Sequence, residues 1–178
     1  MIQDFKLKKS GFTLVELLVV MAILGVLVTL IAGGFRTAQM RGRDAQRKSD
    51  IKEVANSLEV FLSDHRRYPS DTPSGQIQAC PYDSVLGSGN CVWGSSELTD
   101  GNTVYFKVLP QDPVSSQAYI YRIVPGSNNQ KFQLFARLEN PKDPNCLGGD
   151  CANPTVAYSC GTKTCNFAIT SSNTEPTE

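Results

Sequence analysis

The sequence has very little histidine and no excess of either charge. His65 is the single histidine among 178 residues, which leaves almost no room for a histidine-rich metal site or a histidine-based catalytic triad. The 17 basic and 17 acidic residues give a formal net charge of zero, so a basic field over the whole chain for nucleic acid is excluded. Because 40% of the residues are hydrophobic, the chain is not a charged disordered segment either. The length predicts one ordinary domain plus an extra element.

Recognisable catalytic motifs are missing as well. The sequence contains no glycine-rich phosphate loop, no dinucleotide fingerprint and no nucleophile elbow. Asp64 and His65 stand beside Arg66 at a predicted helix end, an arrangement typical of helix-end electrostatics rather than of catalysis. We therefore expect a protein that is not an enzyme.

A long apolar run lies near the N-terminus. Residues 17–35 are 19 residues without a charge, close to the roughly 20 that a helix needs to cross a bilayer. Glu16 stands at the edge of this run. An ionisable group in a membrane segment is a functional candidate, because its burial there is costly. The alternative is that Glu16 only reaches back to the membrane interface.

A secretory signal peptide is the main alternative for this run. The three lysines of residues 6–9 would form its basic region, and the small residues 32–34 would form its cleavage site. However, the run is longer than the usual length of about 7–15 residues, and Glu16 adjoins it. The basic residues between 36 and 52 favour a cytoplasmic C-terminal side, whereas the cysteines favour an oxidising compartment. We give more weight to the cysteines, which place the C-terminal side in an oxidising compartment, because large domains often translocate regardless of charge.

The N-terminal segment carries a dense motif. Residues 8–20 read Lys-Lys-Ser-Gly-Phe-Thr-Leu-Val-Glu-Leu-Leu-Val-Val. This sequence resembles the N-terminal signature of type IV pilins and type II secretion pseudopilins. The resemblance implies that a prepilin peptidase cuts between Gly11 and Phe12 and that Phe12 is then N-methylated. It also implies that Glu16 pairs with the N-terminal amine of a neighbouring subunit during assembly.

The same resemblance implies partners and a location. The partners would be other copies of this chain, related pilins, the prepilin peptidase, an inner-membrane assembly platform and, before assembly, the lipid bilayer. The subunit would cross the inner (cytoplasmic) membrane once, with its leader in the cytoplasm. After assembly it would belong to an extracellular pilus or to a periplasmic pseudopilus.

A helical pattern continues beyond the apolar run. Apolar residues recur there at helical spacing, namely Ile51, Val54, Ala55, Leu58, Phe61 and Leu62. No proline occurs before Pro69, so one helix from residue 12 to about residue 66 is predicted, with its second half lying on a sheet. The basic cluster of residues 36–48 raises DNA binding as a hypothesis, but a solvated or subunit-contacting helix face is favoured.

The rest of the chain predicts a small antiparallel sheet between turn-rich segments. Residues 104–109 are rich in strand-forming side chains, and residues 118–124 and 131–139 predict a β-hairpin whose second strand is half-buried. Residues 155–159 and 166–170 are candidates for further small strands. The polar tail from residue 171 is predicted to be frayed.

Six cysteines follow the apolar run, a high and even number for this length. The spacing Cys-x4-Cys occurs twice and is also compatible with zinc, but a compartment outside the cytoplasm favours disulfides. Six cysteines allow 15 connectivities, which sequence alone does not distinguish. We favour the local pairs Cys80–Cys91, Cys146–Cys151 and Cys160–Cys165.

Two further features concern the branch of the family. Residues 109–113, Leu-Pro-Gln-Asp-Pro, resemble a loop of major pseudopilins, and the Trp-Gly-Asn-Pro that often follows is replaced by Val-Ser-Ser-Gln. Related major pseudopilins can bind a calcium ion in a C-terminal loop, which makes Asp143 and Asp150 weak calcium candidates. No dense motif of oxygen ligands surrounds them, so ordinary loop aspartates are favoured and no cofactor is expected.

The sequence as a whole predicts an α+β fold, with a long N-terminal helix packed on a small antiparallel β-sheet. The predicted segments are a cleaved leader (1–11), a membrane or filament-core helix (12–35), an amphipathic helix (36–66), a disulfide-closed loop (67–103), an antiparallel sheet (104–139) and a cysteine-rich C-terminal loop and tail (140–178). The predicted function is a structural subunit of a type IV pilus-like filament for adhesion, motility or DNA uptake. The alternatives are a major pseudopilin of a type II secretion system and a membrane-anchored extracellular binding domain.

Overall fold

The computed structural model describes residues 11–178, apart from the side chains of residues 30–33. Most of the predicted leader, residues 1–10, therefore lies outside the described residues. The chain divides into two compact units, Met1–Gln39 and Met40–Glu178. One helix, α1 (Leu14–His65, 52 residues), contributes to both units.

The part of α1 in the first unit is apolar and exposed. Its large side chains, such as Leu17, Val26 and Phe35, are open to the surroundings. The helix continues through residues 33 and 34, two glycines that each cost about 1 kcal/mol in a helix interior. The segment is long and apolar enough to cross a membrane. An apolar surface of this size needs lipid or protein to cover it.

The part of α1 in the second unit supplies one side of a hydrophobic core. Its buried apolar residues are Ile51, Val54, Ala55, Leu58 and Phe61. Their spacing of three and four residues places them on one helix face, where they pack against strand residues in a single cluster. The predicted amphipathic pattern is therefore confirmed.

Nine short strands follow α1 in the second unit, and each pairs in an antiparallel manner. They are β1 (Ser70–Asp71), β2 (Ile77–Gln78), β3 (Leu98–Thr99), β4 (Val104–Phe106), β5 (Ile120–Ile123), β6 (Phe132–Ala136), β7 (Ser159–Cys160), β8 (Lys163–Thr164) and β9 (Phe167–Thr170). A 3-10 turn spans Leu147–Gly149. The main sheet has the order β5-β6-β9, and the other strands form the two-stranded ladders β1-β2, β3-β4 and β7-β8. The predicted α+β fold, a long helix on small antiparallel sheets, is confirmed.

The strand pairing differs from the predicted segments in two places. The strand β4 pairs with β3, which lies inside the predicted loop of residues 67–103, and not with the β5-β6 hairpin. The third strand of the main sheet is β9, which matches the small strand predicted at residues 166–170 within the cysteine-rich C-terminal segment, but its pairing with β6 was not predicted. Local alternation of apolar residues marks a strand but does not choose its partner, so these pairings were not predictable from the pattern.

The central strand β6 is buried on both faces, so the prediction of a half-buried strand is wrong. Phe132, Leu134 and Ala136 face the core beside α1. On the other face, Phe135 packs in a second cluster with Val156 and the cystine of the β7-β8 hairpin. The C-terminal segment therefore adds a layer over the sheet.

The C-terminal tail is docked on β6, which corrects the prediction of a frayed end from residue 171. The N–H of Ser171 donates to the carbonyl of Phe132 at 3.1 Å. The side-chain amide of Gln133 donates to the carbonyl of Glu175 at 2.7 Å, and Lys131 pairs with Glu178 at 2.9 Å. Because Gln133 is buried, its amide requires such a partner, and the polar tail supplies it.

Three disulfides join the six cysteines, and they are the local pairs favoured from the sequence. Their pairs are Cys80–Cys91, Cys146–Cys151 and Cys160–Cys165. Intact protein should therefore weigh six hydrogens less than its reduced form in mass spectrometry. Six free thiols, or one bound zinc per chain, would contradict this pairing.

Removal of Cys80–Cys91 should destabilise the second unit. The bond closes a loop with little apolar core of its own, so the variant Cys80→Ala/Cys91→Ala should lose about 2–4 kcal/mol of the free energy of unfolding. Denaturant titration followed by the fluorescence of Trp93, the single tryptophan, measures this loss. Ser84→Ala, at an exposed position of the same loop, is the control and should change the free energy by less than about 0.5 kcal/mol.

Candidate assembly site

The predicted processing residues stand just before α1. Gly11 and Phe12 lie outside regular secondary structure, and the helix begins at Leu14. The Phe12 side chain is 82% exposed. A peptide bond between Gly11 and Phe12 would thus be cut outside regular secondary structure, where a protease can bind the backbone. The predicted cleavage and methylation remain predictions.

Glu16 closes the first turn of α1 together with Thr13. The Glu16 carboxylate oxygen Oε2 accepts hydrogen bonds from the Thr13 N–H at 3.3 Å and from the Thr13 hydroxyl at 3.1 Å. In return, the N–H of Glu16 donates to Oγ1 of Thr13 at 3.2 Å. This reciprocal arrangement is a capping box, in which a threonine before the helix and a glutamate three residues later satisfy each other's donors.

The capping box defines what Glu16 does within one chain. Its carboxylate begins the helix and compensates the positive end of the helix dipole. Its hydrogen bonds in the described part of the chain go to Thr13, which is neutral, so a cation is still required to balance the charge in an apolar environment. The residue that sequence reasoning missed is Thr13, although Thr-x-x-Glu before an apolar run is a recognisable signal.

A buried charge cluster lies where α1 enters the second unit. Arg47 has a side chain that is 0% exposed, and it is surrounded by three carboxylates. Its Nε and Nη2 bind both oxygens of Asp112 at 2.7 and 2.8 Å. Its Nη1 binds Asp44 at 2.9 Å and Glu139 at 2.8 Å. Glu139 also accepts a bond from Nε of Arg43 at 2.8 Å.

The cluster also holds loop backbone in place. Asp44 accepts hydrogen bonds from the backbone N–H groups of Glu139 and Asn140, each at 2.8 Å. Asp112 accepts one from the N–H of Val114 at 2.8 Å. The ionic groups of α1 are therefore bonded to the loop after β6 and to the loop of residues 109–117, which contains the Leu-Pro-Gln-Asp-Pro sequence.

These contacts change the interpretation of the basic cluster of residues 36–48. The prediction of a solvated helix face is wrong for Arg47, which is fully buried, and incomplete for Arg43 and Lys48, which each pair with a carboxylate of the second unit. Arg36 and Arg41 are exposed. Much of the positive charge that suggested DNA binding is thus neutralised within the chain.

Glu139 makes the stability of the second unit sensitive to acid. The hydrogen bond from Arg43 lowers its pKa most, burial opposes this, and Arg47 lowers it further, so the pKa falls from 4.5 to about 2. A lowered folded pKa contributes stability above pH 4.5 that is lost as the pH falls towards 2.

We expect Glu139→Gln to flatten the loss of stability below pH 4.5, by at most about 3 kcal/mol. Unfolding followed by Trp93 fluorescence at several pH values measures the effect. Asp100, with a pKa lowered to about 2 chiefly by the N–H of Thr103, retains part of the pH dependence. Glu97→Gln, at an exposed position, is the control and should keep the wild-type profile. Identical curves of stability against pH for Glu139→Gln and wild type would show that Glu139 does not cause the acid sensitivity.

The two weak calcium candidates are engaged by the chain's own donors. Asp143 binds the ammonium of Lys48, with both carboxylate oxygens at 2.7 Å from Nζ. Asp150 accepts hydrogen bonds from the N–H of Ala152 and the amide of Asn153. Among the described residues, no group of three or more His, Cys, Asp or Glu side chains is arranged to hold a metal ion. With one carboxylate paired with a lysine and the other closing its own turn, these two side chains offer calcium few of the six to eight oxygens that it takes.

Sequence comparison with known proteins identifies relatives of this chain. Residues 6–32 match the family model described as the prokaryotic N-terminal methylation motif. The type II secretion system core protein G of Aeromonas hydrophila is 32% identical over 131 residues, 74% of this chain and 83% of that protein. The protein of the same name from Pseudomonas aeruginosa is 36% identical over 129 residues, 72% of this chain and 82% of that protein.

A pilin is also similar to the chain over a shorter stretch. The type IV major pilin protein PilA of Myxococcus xanthus is 31% identical over 67 residues, 38% of this chain and 30% of that protein. No solved structure matches the chain significantly. The apolar helix and the methylation motif together indicate anchoring in a membrane. Together with the long N-terminal helix, whose second half packs on small antiparallel sheets, these matches show that the chain belongs to the family of type IV pilins and type II secretion pseudopilins.

Proposed function

We propose that the chain is a major pseudopilin, the structural subunit of a type II secretion filament. The observation that carries this proposal is the extent of the matches to proteins named core protein G. A match of 131 residues is more than twice the length of the 52-residue helix, so it includes the sheet-bearing unit. The match to the pilin PilA is 67 residues, about the length of leader and helix together. Among the predictions from the sequence, the alternative is thus better supported than the surface pilus.

The proposed mechanism is structural, without catalysis. The subunit is stored in the inner membrane through the apolar part of α1, with its leader in the cytoplasm and its second unit on the opposite side. A prepilin peptidase cuts between Gly11 and Phe12, and the new N-terminal amine of Phe12 then pairs with Glu16 of a neighbouring copy on an assembly platform. The exposed apolar residues of the first unit support this proposal, because neighbouring copies would cover them in a filament core.

Processing is tested by the mass of the mature N-terminus. We expect a chain that begins at methylated Phe12. A chain that begins near Gly34 would indicate an ordinary signal peptide and would overturn the filament proposal. An unprocessed chain in a strain that has the peptidase would also contradict it.

A deletion strain separates the two branches of the family. We expect cells without this protein to keep their surface filaments, seen by electron microscopy, and to lose export of secreted proteins, measured in the culture medium. The second candidate is a surface pilus, which the three disulfides favour because an exposed filament benefits from covalent bonds in its loops. Loss of surface filaments with normal secretion would select that candidate.

A further inference from the structure

The loop that follows β6 contains one carboxylate that is paired with a lysine of α1. Asp143 lies in this loop with a side chain that is 11% exposed, and Lys48 of α1 reaches it with an ammonium that is equally close to both carboxylate oxygens, at 2.7 Å. The Lys48 ammonium also lies 5.8 Å from the centre of the Phe167 ring of β9. A single positive charge is therefore placed between the helix, the loop and the sheet.

We infer that Lys48 is a built-in cation for the loop of residues 140–151, and that this loop does not require a calcium ion. The inference goes beyond the proposed function and does not depend on it. The resemblance to major pseudopilins implied a possible calcium site in this loop, and the inference departs from that expectation. The departure is in the donor set, since the carboxylate of Asp143 is balanced by a group of the chain itself.

Several other oxygens of the loop also accept hydrogen bonds. Asp143 accepts a further hydrogen bond from the N–H of Asn145 at 3.0 Å, and the carboxylate of Asp150 closes its own turn. The backbone carbonyl of Cys151 accepts a bond from the side-chain amide of Asn166 at 3.2 Å. A calcium ion that used these oxygens would have to displace the groups that now donate to them.

A disulfide and a backbone hydrogen bond also hold this loop in place. The Cys146–Cys151 disulfide closes the segment, and both cysteines are buried in the core. The N–H of Leu147 donates to the carbonyl of Asn166 at 2.8 Å, which ties the 3-10 turn to the residue before β9. Burial opposes ionisation of Asp143, but the bonds from Lys48 and Asn145 hold its pKa below the usual 3.8. The carboxylate thus stays charged and paired at neutral pH.

The test is thermal unfolding of the full chain in detergent, followed by Trp93 fluorescence, in calcium chloride and in a calcium chelator. We expect the wild-type Tm to differ by less than about 1 °C between the two. A site loaded at about 100 times its Kd would instead raise the Tm by roughly 5–10 °C, and such a rise would overturn the inference. This comparison needs no variant.

Three variants test the role of the ammonium. Lys48→Met should lower the Tm in both media, whereas Lys52→Met, one turn further along α1 at an exposed position, should leave it unchanged. Lys48→Arg keeps the charge and should retain most of the wild-type Tm. Equal Tm values for Lys48→Met and Lys52→Met would overturn the inference, and so would equal losses in Lys48→Met and Lys48→Arg.

Discussion

Replacing Arg47 by methionine is expected to remove about 3–5 kcal/mol from the free energy of unfolding of the second unit. The Asp112 side chain is 0% exposed and would lose both hydrogen bonds that balance its charge. Asp44, also buried, would lose its cation too. Because a small domain is stable by only about 5–15 kcal/mol, the variant should be close to unfolding at physiological temperature. Denaturant titration with Trp93 fluorescence measures the loss.

Three comparisons separate charge pairing from side-chain volume at this site. Arg41→Met changes an exposed arginine of the same helix and should cost less than about 0.5 kcal/mol. Arg47→Lys keeps the charge but loses the planar fork that binds Asp112 through two nitrogens, so an intermediate loss is expected. Arg47→Met combined with Asp112→Leu should recover stability relative to Arg47→Met alone, because no unpaired carboxylate then remains at position 112. A loss in Arg47→Met no larger than in Arg41→Met would refute this account.

Glu16→Ala is expected to remove filament assembly while membrane insertion and processing continue. In the proposed filament the amine of Phe12 would have no carboxylate partner, and an unpaired charge in an apolar environment costs roughly 2.5–3.5 kcal/mol. Addition of a subunit should therefore weaken by about 100-fold. Electron microscopy and shearing of filaments from cells measure assembly, and membrane fractionation with N-terminal mass analysis measures insertion and cleavage.

The capping box supplies a control that separates the two roles of Glu16. A glutamine at position 16 can still accept the hydrogen bonds of Thr13, so Glu16→Gln should keep the helix start and lose the charge. We expect it to fail in assembly nearly as strongly as Glu16→Ala. Glu16→Asp keeps the charge with a shorter reach and should assemble in part. Normal filaments in Glu16→Gln would show that capping, and not charge, is what assembly needs.

The core face of α1 was predictable from sequence because it depends on neighbouring residues, and the local disulfide pairing was favoured among 15 connectivities that the sequence alone left open. The core face of α1 follows from the spacing between Ile51 and Phe61, and the three disulfides join the nearest cysteines. The second layer over β6 was missed, because nothing in the alternation of residues 131–139 indicates which distant segment covers the outer face.

The charge cluster was missed for a related reason. Asp44 and Arg47 lie seven and four residues before Ile51, on the core face of α1, so a signal for their burial was present in the sequence. Two of their partners, Asp112 and Glu139, are 65 and 92 residues away from Arg47, and no local pattern connects them. A charged residue that continues an apolar stripe should be examined as a candidate for a buried ion pair.

The disulfides share a property that matters during export. Each cysteine is bonded to the next cysteine in the chain, so the three bonds never enclose one another. If the second unit crosses the membrane from its N-terminal end, each pair emerges complete before the following pair appears. An oxidant that joins cysteines in order of emergence would then make the native bonds at the first attempt. The subunit could be supplied in large numbers without a disulfide-reshuffling step.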